Sequence, residues 1–144
     1  MKNSICVLCF VILLIYLIGC ASHNDIHLEK TFETSAYLKC DKVFAVNRDS
    51  IVQLNEILIQ TGTLDTLEDQ VTRASVIHVQ GKELILDLVK EHKSGDSHQE
   101  LYQGKGYKLA LNYQSKNTGY KGECQVWHGK LHSCIKVEGI RNNL

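Results

Sequence analysis

The segment Gln99–Tyr113, QELYQGKGYKLALNY, carries the pattern that decides the fold. Two short runs, Gln99–Gln103 and Tyr107–Tyr113, stand on either side of Gly104-Lys105-Gly106, and glycine is the residue that tight turns favour. In the second run Leu109, Leu111 and Tyr113 fall on one face, as the period of two in a β-strand requires. The segment therefore predicts a β-hairpin with one buried face.

Further strands of the same kind are predicted on both sides of this hairpin, separated by short turns rich in glycine and polar residues. The strands are Ala36–Val46, Ala74–Val79, Glu83–Val89, Lys121–Trp127 and Leu131–Glu138, and the turns are Gln80-Gly81, Lys93–Ser97, Asn117–Gly119 and His128–Lys130. Short strands joined by tight turns are typical of an antiparallel sheet.

One helix is expected near the front of the chain. Asp49 and Ser50 are capping residues for a helix that runs through Gln60, and Gly62 would end it. Leu64–Thr72 is predicted to add a further helical turn or two. The whole pattern predicts an α+β fold, mainly an antiparallel β-sheet or small open barrel of about seven strands with one helix near the front.

The composition limits the classes of function. The chain has 144 residues, with Lys plus Arg and Asp plus Glu both at 16, and 44 % of its residues are hydrophobic. This length suits one domain, and the hydrophobic fraction excludes wholesale disorder. A formal charge of zero argues against nucleic acid as a partner, because binding phosphates requires an excess of Lys and Arg.

The N-terminus has the pattern of an export signal. In Met1–Gly19, MKNSICVLCFVILLIYLIG, the cation Lys2 precedes an apolar run over Ile5–Ile18. The run is short for a membrane-spanning helix, which needs about 20 residues. At the end of this segment, Leu17-Ile18-Gly19-Cys20 resembles the lipobox of bacterial lipoprotein precursors. The alternatives are an ordinary signal peptide or an uncleaved anchor helix.

The resemblance implies a lipoprotein anchored to a membrane through Cys20. In that family a diacylglycerol is attached to the cysteine thiol, the signal is removed, and a fatty acid such as palmitate is added to the new amine. Residues 1–19 are then the signal peptide, 20–35 a tether and 36–144 a single β-rich domain. Ala21, where an aspartate commonly signals inner-membrane retention, favours the outer membrane with the domain facing the periplasm.

An exported protein encounters oxidising conditions, so the remaining cysteines are candidates for a disulfide bond. A three-residue loop at His128-Gly129-Lys130 would place Cys124 directly opposite Cys134, and the pair Cys124–Cys134 is the predicted bridge. A two-residue loop would shift the register by one residue. The alternative is that Cys40 replaces one of the two and joins the first strand to the last hairpin.

The sequence contains no pattern that demands catalysis, a metal or a cofactor. Cys124, His128, His132 and Cys134 are zinc-ligand types, but their spacing fits zinc sites poorly. The motifs G-x-S-x-G, H-E-x-x-H and the P-loop are absent from the sequence. We therefore expect a protein that is not an enzyme and holds no cofactor.

The resulting hypothesis is a lipid-anchored envelope binding module. Its partners would be the lipid bilayer, through acylated Cys20, and a protein of the envelope. The first use considered is an accessory lipoprotein of an envelope assembly, such as a secretion or pilus system. The alternative is an inhibitor or immunity lipoprotein that blocks a wall-degrading enzyme or toxin. In Tyr37 and Cys40 the chain is similar to membrane-bound lysozyme inhibitors, which are also small β-rich lipoproteins.

Overall fold

A computed structural model describes residues 25–64 and 72–142. Eight strands and one short helix make up its regular structure. They are β1 (Leu38–Ala45), α1 (Arg48–Leu54), β2 (Ile59–Leu64), β3 (Arg73–Val79), β4 (Lys82–Ser94), β5 (Ser97–Gly104), β6 (Tyr107–Lys116), β7 (Gly119–His128) and β8 (Leu131–Arg141).

Each strand pairs antiparallel with the next along the chain, and β8 pairs with β1, so the sheet closes into a barrel. The predicted antiparallel β architecture with one helix is confirmed at this level. The expected sheet or small open barrel of about seven strands is corrected to a closed barrel of eight strands. Closure depends on the pairing of Lys42 with Arg141 and of Phe44 with Gly139. These residues are almost a hundred positions apart, and no local pattern reports such a pairing.

The side chains that alternate inward along each strand form the core. The main buried cluster includes Phe44 of β1, Ile77 of β3, Leu86 of β4, Leu109 of β6 and Val126 of β7. Eight strands give an interior just wide enough for side chains to fill or to hold one small ligand. Burial of these apolar side chains stabilises the fold by about 1.5–3 kcal/mol each.

Two glycines allow the strands to approach closely where the barrel bends. A Cβ on Gly139 would lie 2.5 Å from the ring of Phe44, and one on Gly122 would lie 2.6 Å from Cα of Tyr113. The ring of Phe44 covers Gly139 and contacts Tyr113, with ring centroids 5.3 Å apart. Glycines at such positions are typical of the sharp bends in barrels.

The helix α1 is shorter than expected and begins at a different cap. Asn47 caps it through Oδ1, which accepts a hydrogen bond from the backbone N–H of Ser50 at 2.8 Å. Asn55 ends the helix in the left-handed conformation, with φ of 52°. Gly62 lies within β2 instead of ending a helix. Of the helical turns predicted for Leu64–Thr72, Leu64 belongs to β2, and residues 65–71 lie outside the described residues.

The N-terminal part of the described chain is a strap that packs against the barrel. We define the strap as residues 25–35. Ile26 and Leu28 are buried in the main core cluster, and Thr31 forms a β-bridge with Ile57. The backbone N–H of Ser35 donates to Gln60 Oε1 at 2.8 Å. Residues 25–35 of the predicted tether (20–35) therefore pack against the barrel, and the apolar side chains of Ile26 and Leu28 complete its core.

The barrel has two unlike ends. We call the first the hairpin end, because the turns at 80–81, 105–106 and 129–130 lie there. The strap reaches it, since the N–H of Gly81 donates to Glu29 Oε2 at 2.8 Å. We call the other end the mouth, where the turns at 95–96 and 117–118 lie together with Arg141 of the chain closure.

The β7–β8 hairpin corrects the predicted disulfide bond. Its loop has two residues, Gly129 and Lys130, so His128 pairs with Leu131 and Cys124 pairs with Ile135. Cys124 is buried in the core, whereas Cys134 is exposed on the outer surface, and both are free thiols. The alternative bridge to Cys40 is not formed either, because Cys40 is also free.

Candidate functional site

Four polar side chains form a hydrogen-bonded cluster inside the barrel near the mouth. Lys42 Nζ lies 2.8 Å from Glu100 Oε1 and 2.7 Å from the hydroxyl of Tyr113. Tyr113 donates to Glu100 Oε1 at 2.7 Å, and Tyr102 donates to Glu100 Oε2 at 2.6 Å. The side chains of Lys42 and Glu100 are only 10 % and 5 % exposed. We call this set the interior polar cluster.

The cluster keeps Glu100 ionised. Burial alone would raise its pKa, but the charge of Lys42 and hydrogen bonds from Lys42, Tyr102 and Tyr113 outweigh burial and lower the pKa below its ordinary value. Burial and the neighbouring Glu100 raise the pKa of both tyrosines, so they stay protonated and donate. A carboxylate held by these three donors fixes the side chains that form the floor of the mouth.

Above this cluster a cavity of about 380 Å³ opens at the mouth. Its wall carries the cations Lys93 and Arg141, the carboxylate Asp41 and the ring of His98. The rings of His98 and Tyr113 stack with centroids 4.8 Å apart. Burial, followed by the charges of Lys93 and Lys42, lowers the pKa of His98. The imidazole is therefore neutral at neutral pH.

Arg73 and Asp41 form a second ion pair at this end of the barrel. Arg73 Nη2 lies 3.1 Å from Asp41 Oδ2, and Thr61 Oγ1 donates to Asp41 Oδ1 at 3.2 Å. Burial opposes the charged guanidinium, but Asp41, Tyr102, Glu100 and Glu91 together outweigh burial and raise the pKa of Arg73. Because Asp41 is paired with Arg73, the outer part of the cavity is dominated by Lys93 and Arg141, which form no ion pair within residues 25–64 and 72–142.

This arrangement is suited to binding. Lys42 is held by Glu100 and Tyr113, and the oxygens of Glu100 are occupied by donors, so the cluster is rigid and its proton-accepting sites are engaged. Cations, a histidine ring and aromatic edges at a concave opening can recognise an anionic group or the polar end of a protein segment.

Comparison with known proteins returned no match: no family model, no curated protein and no solved structure is similar to this chain. The assignment of the site therefore depends on the geometry of the described residues. Among residues 25–64 and 72–142, no helix has the length and apolar character needed to cross a membrane.

An apolar groove of about 670 Å³ lies on the side of the barrel, between the strap and helix α1. Phe32, on the strap, is 64 % exposed, and Val52, on the helix, is 59 % exposed. Both line the groove together with Ile57 and Ile140. Exposed apolar side chains that are grouped in this way are typical of protein contact surfaces.

The residues singled out from the sequence are not brought together. Cys20, the expected acylation site, lies outside the described residues. Cys124 faces the core while Cys134, His128 and His132 face outward or lie at the hairpin end, so they cannot share one ion. Within the described part of the chain, no group of three His, Cys, Asp or Glu is placed to hold a metal.

Sequence reasoning missed the interior polar cluster, although the alternation of the strands contained a signal. Glu100 and Tyr102 lie two positions apart and so share one face of β5. On the neighbouring strand β6, Leu111 and Tyr113 lie on the same face of the sheet. A glutamate on the apolar face of a strand is a candidate buried charge. Its partner, Lys42, is 58 positions away, so local patterning could not identify the pair.

Proposed function

We propose that this protein is a lipid-anchored binding module of the bacterial envelope, an accessory lipoprotein that presents the mouth of its barrel to a partner. The lipobox-like segment Leu17-Ile18-Gly19-Cys20 supports the anchor. The observation that carries the proposal is geometric. Asp25 lies at the hairpin end, and the polar cavity opens at the opposite end of the barrel.

The chain entry point supports a defined orientation. Asp25 contributes to a cleft with Val79, Gln80, Tyr107 and His128, which all belong to the hairpin end. Asp25 follows Cys20 by five positions, and a fully extended chain of that length spans at most about 18 Å. Acyl chains on Cys20 would therefore hold the hairpin end close to the bilayer and direct the mouth away from it.

A role in binding rather than turnover is supported by the chemistry of the mouth. The ionisable groups of the interior polar cluster satisfy one another, and the accessible groups around them are Lys93, Arg141 and neutral His98. These side chains supply charge and hydrogen bonds for recognition. The apolar groove beside Phe32 and Val52 supplies area that a protein partner would bury.

The anchor is tested with Cys20→Ala in a Gram-negative host. The unchanged protein should incorporate a fatty-acid label and fractionate with the outer membrane, and Cys20→Ala should incorporate none. Cys134→Ala is the matched control, because Cys134 is an exposed thiol of the domain and its loss should leave labelling unchanged. If Cys20→Ala is labelled as strongly as the unchanged protein, the proposal of a lipoprotein anchored through Cys20 is overturned.

The same variant separates the accessory role from an inhibitor or immunity protein. Localising a partner requires the anchor, so Cys20→Ala should abolish the function of the assembly even though the barrel folds. An inhibitor would protect its target as a soluble protein in stoichiometric amounts. If soluble Cys20→Ala still protects the target, the accessory role is overturned and the protein is an inhibitor or immunity protein.

A further inference from the structure

The hairpin end carries a basic surface that neither the fold nor the mouth requires. Lys105 and Lys130 occupy turn positions, Lys82 follows the turn at 80–81, and Lys108 lies one residue into β6. All four are exposed. They belong to three separate hairpins, and Lys105, Lys108 and Lys130 lie on the two hairpins β5–β6 and β7–β8.

The acidic groups nearby are partly engaged elsewhere. Glu29 Oε2 accepts the backbone N–H of Gly81 at 2.8 Å. Glu83 lies 3.6 Å from His78 Nε2 and accepts a hydrogen bond from the hydroxyl of Ser35 at 3.0 Å. Asp25 lies in the cleft with Tyr107 and His128, and the exposed Asp87 shares a row of the sheet with Lys108, because both pair with Gln103. Around the turns at 105–106 and 129–130, Lys105, Lys108 and Lys130 outnumber these two carboxylates.

The single tryptophan of the chain lies beside these lysines. Trp127 pairs across the sheet with Lys108 and stacks on His132, with ring centroids 5.0 Å apart. With Tyr107 and Lys108 it borders a groove of about 590 Å³ next to the turns at 105–106 and 129–130. Tryptophan and tyrosine next to lysine are typical of protein surfaces at the headgroup level of a bilayer.

We propose that the hairpin end is a membrane contact surface, in which Lys105, Lys108 and Lys130 bind anionic phospholipid headgroups and Trp127 enters the interface. The bilayer is the occupant that the chain length favours, since Asp25 lies at this end and the five positions back to an acylated Cys20 would span at most about 18 Å. This orientation rests on the proposed lipid anchor. The lysines would add an electrostatic contact to the acyl chains and fix the tilt of the barrel.

Trp127 is its own reporter. The acylated protein, purified from membranes, is reconstituted into phosphatidylcholine vesicles with and without phosphatidylglycerol, and brominated phospholipids are included as quenchers. Contact predicts a blue shift and strong quenching of Trp127 emission in vesicles that contain phosphatidylglycerol. Emission that is indifferent to the quencher would overturn the contact. The mass of the N-terminal peptide from the same sample reports acylation of Cys20.

A lipid-free form beginning at Ala21 makes the surface testable without the anchor, because it retains the strap and the whole closed barrel. Sedimentation with phosphatidylglycerol vesicles measures the affinity of this form for the membrane. The affinity should fall roughly a hundredfold in Lys105→Gln/Lys108→Gln/Lys130→Gln, at about fivefold per lysine. The control Lys90→Gln/Lys116→Gln/Lys121→Gln removes the same charge from exposed residues toward the mouth and should bind vesicles like the unchanged protein.

The two proposals fail in different ways. Unacylated Cys20 with lysine-dependent vesicle binding would overturn the lipid anchor and leave the membrane contact standing. Acylated Cys20 with unquenched Trp127, or equal binding by the two triple variants, would overturn the contact and leave the anchor standing. Equal affinity for vesicles without phosphatidylglycerol would overturn recognition of anionic headgroups.

Discussion

The two halves of the barrel interior use opposite chemistry. Toward the hairpin end the interior is apolar, with Leu109 and Val126 buried and the strap residues Ile26 and Leu28 closing the core. Toward the mouth it holds the Lys42–Glu100 ion pair and two tyrosine hydroxyls. Apolar packing is sufficient for stability, whereas a buried ion pair contributes little because desolvation offsets its attraction. The polar groups at the mouth are therefore the part of the interior on which the proposed recognition role rests.

The largest effect should come from breaking the ion pair at the mouth. Glu100→Leu leaves Lys42 as a buried charge without its partner, and we expect a loss of about 3–5 kcal/mol in the free energy of unfolding. The double variant Lys42→Met/Glu100→Leu should recover most of this loss. Denaturant unfolding of the three proteins measures both effects. A double variant as unstable as the single one would show that the cluster itself stabilises the fold.

The apolar half should respond to loss of volume. Leu109 is fully buried, and Leu109→Ala should reduce the free energy of unfolding by about 2–5 kcal/mol through lost burial and a cavity. Removal of a second, charged side chain recovers stability at the ion pair, but it cannot recover the stability lost with Leu109. Thermal unfolding measured with Cys134→Ala as a surface control checks the value. A loss below about 1 kcal/mol would contradict tight packing here.

Acid should weaken the mouth half selectively. The pKa of Glu100 is lower in the folded chain than its ordinary value of 4.5. The unfolded chain therefore takes up a proton first as the pH falls, and stability that is present above pH 4.5 is lost as the pH drops through the folded pKa. Unfolding measured against pH should show this loss, and Lys42→Met/Glu100→Leu should lack its Glu100 component. An unchanged slope in that variant would contradict the assignment.

The smallest effect on stability is expected at the rim of the mouth. Lys93 and Arg141 are exposed, so Lys93→Ala and Arg141→Ala should change the free energy of unfolding by no more than about 0.5 kcal/mol. If the mouth serves recognition, the same substitutions should weaken partner binding in the cell. Assembly function measured beside Lys136→Ala, on the outer face of β8, distinguishes the rim from general surface charge.

Local pattern was sufficient for most strands. Runs of β-forming residues around Gln80-Gly81 and Gly104-Lys105-Gly106 predicted two of the hairpins, because glycine permits the turn between two strands. At the last hairpin the loop was predicted one residue too long. Because of that difference, the cross-strand partner of Cys124 is Ile135 and not Cys134. A shift of one residue in the pairing of two strands moves every side chain to the other face.

The sequence by itself determined the antiparallel strands, the position of the helix and the lipobox-like segment at Cys20, because each depends on residues close together in the chain. Only the tertiary structure decided the closure of β1 on β8, the docking of the strap and the meeting of Lys42 with Glu100. Those contacts join residues far apart, and their formation depends on the whole barrel burying its apolar faces at once. The placement of the chain entry and the mouth at opposite ends follows from that closure.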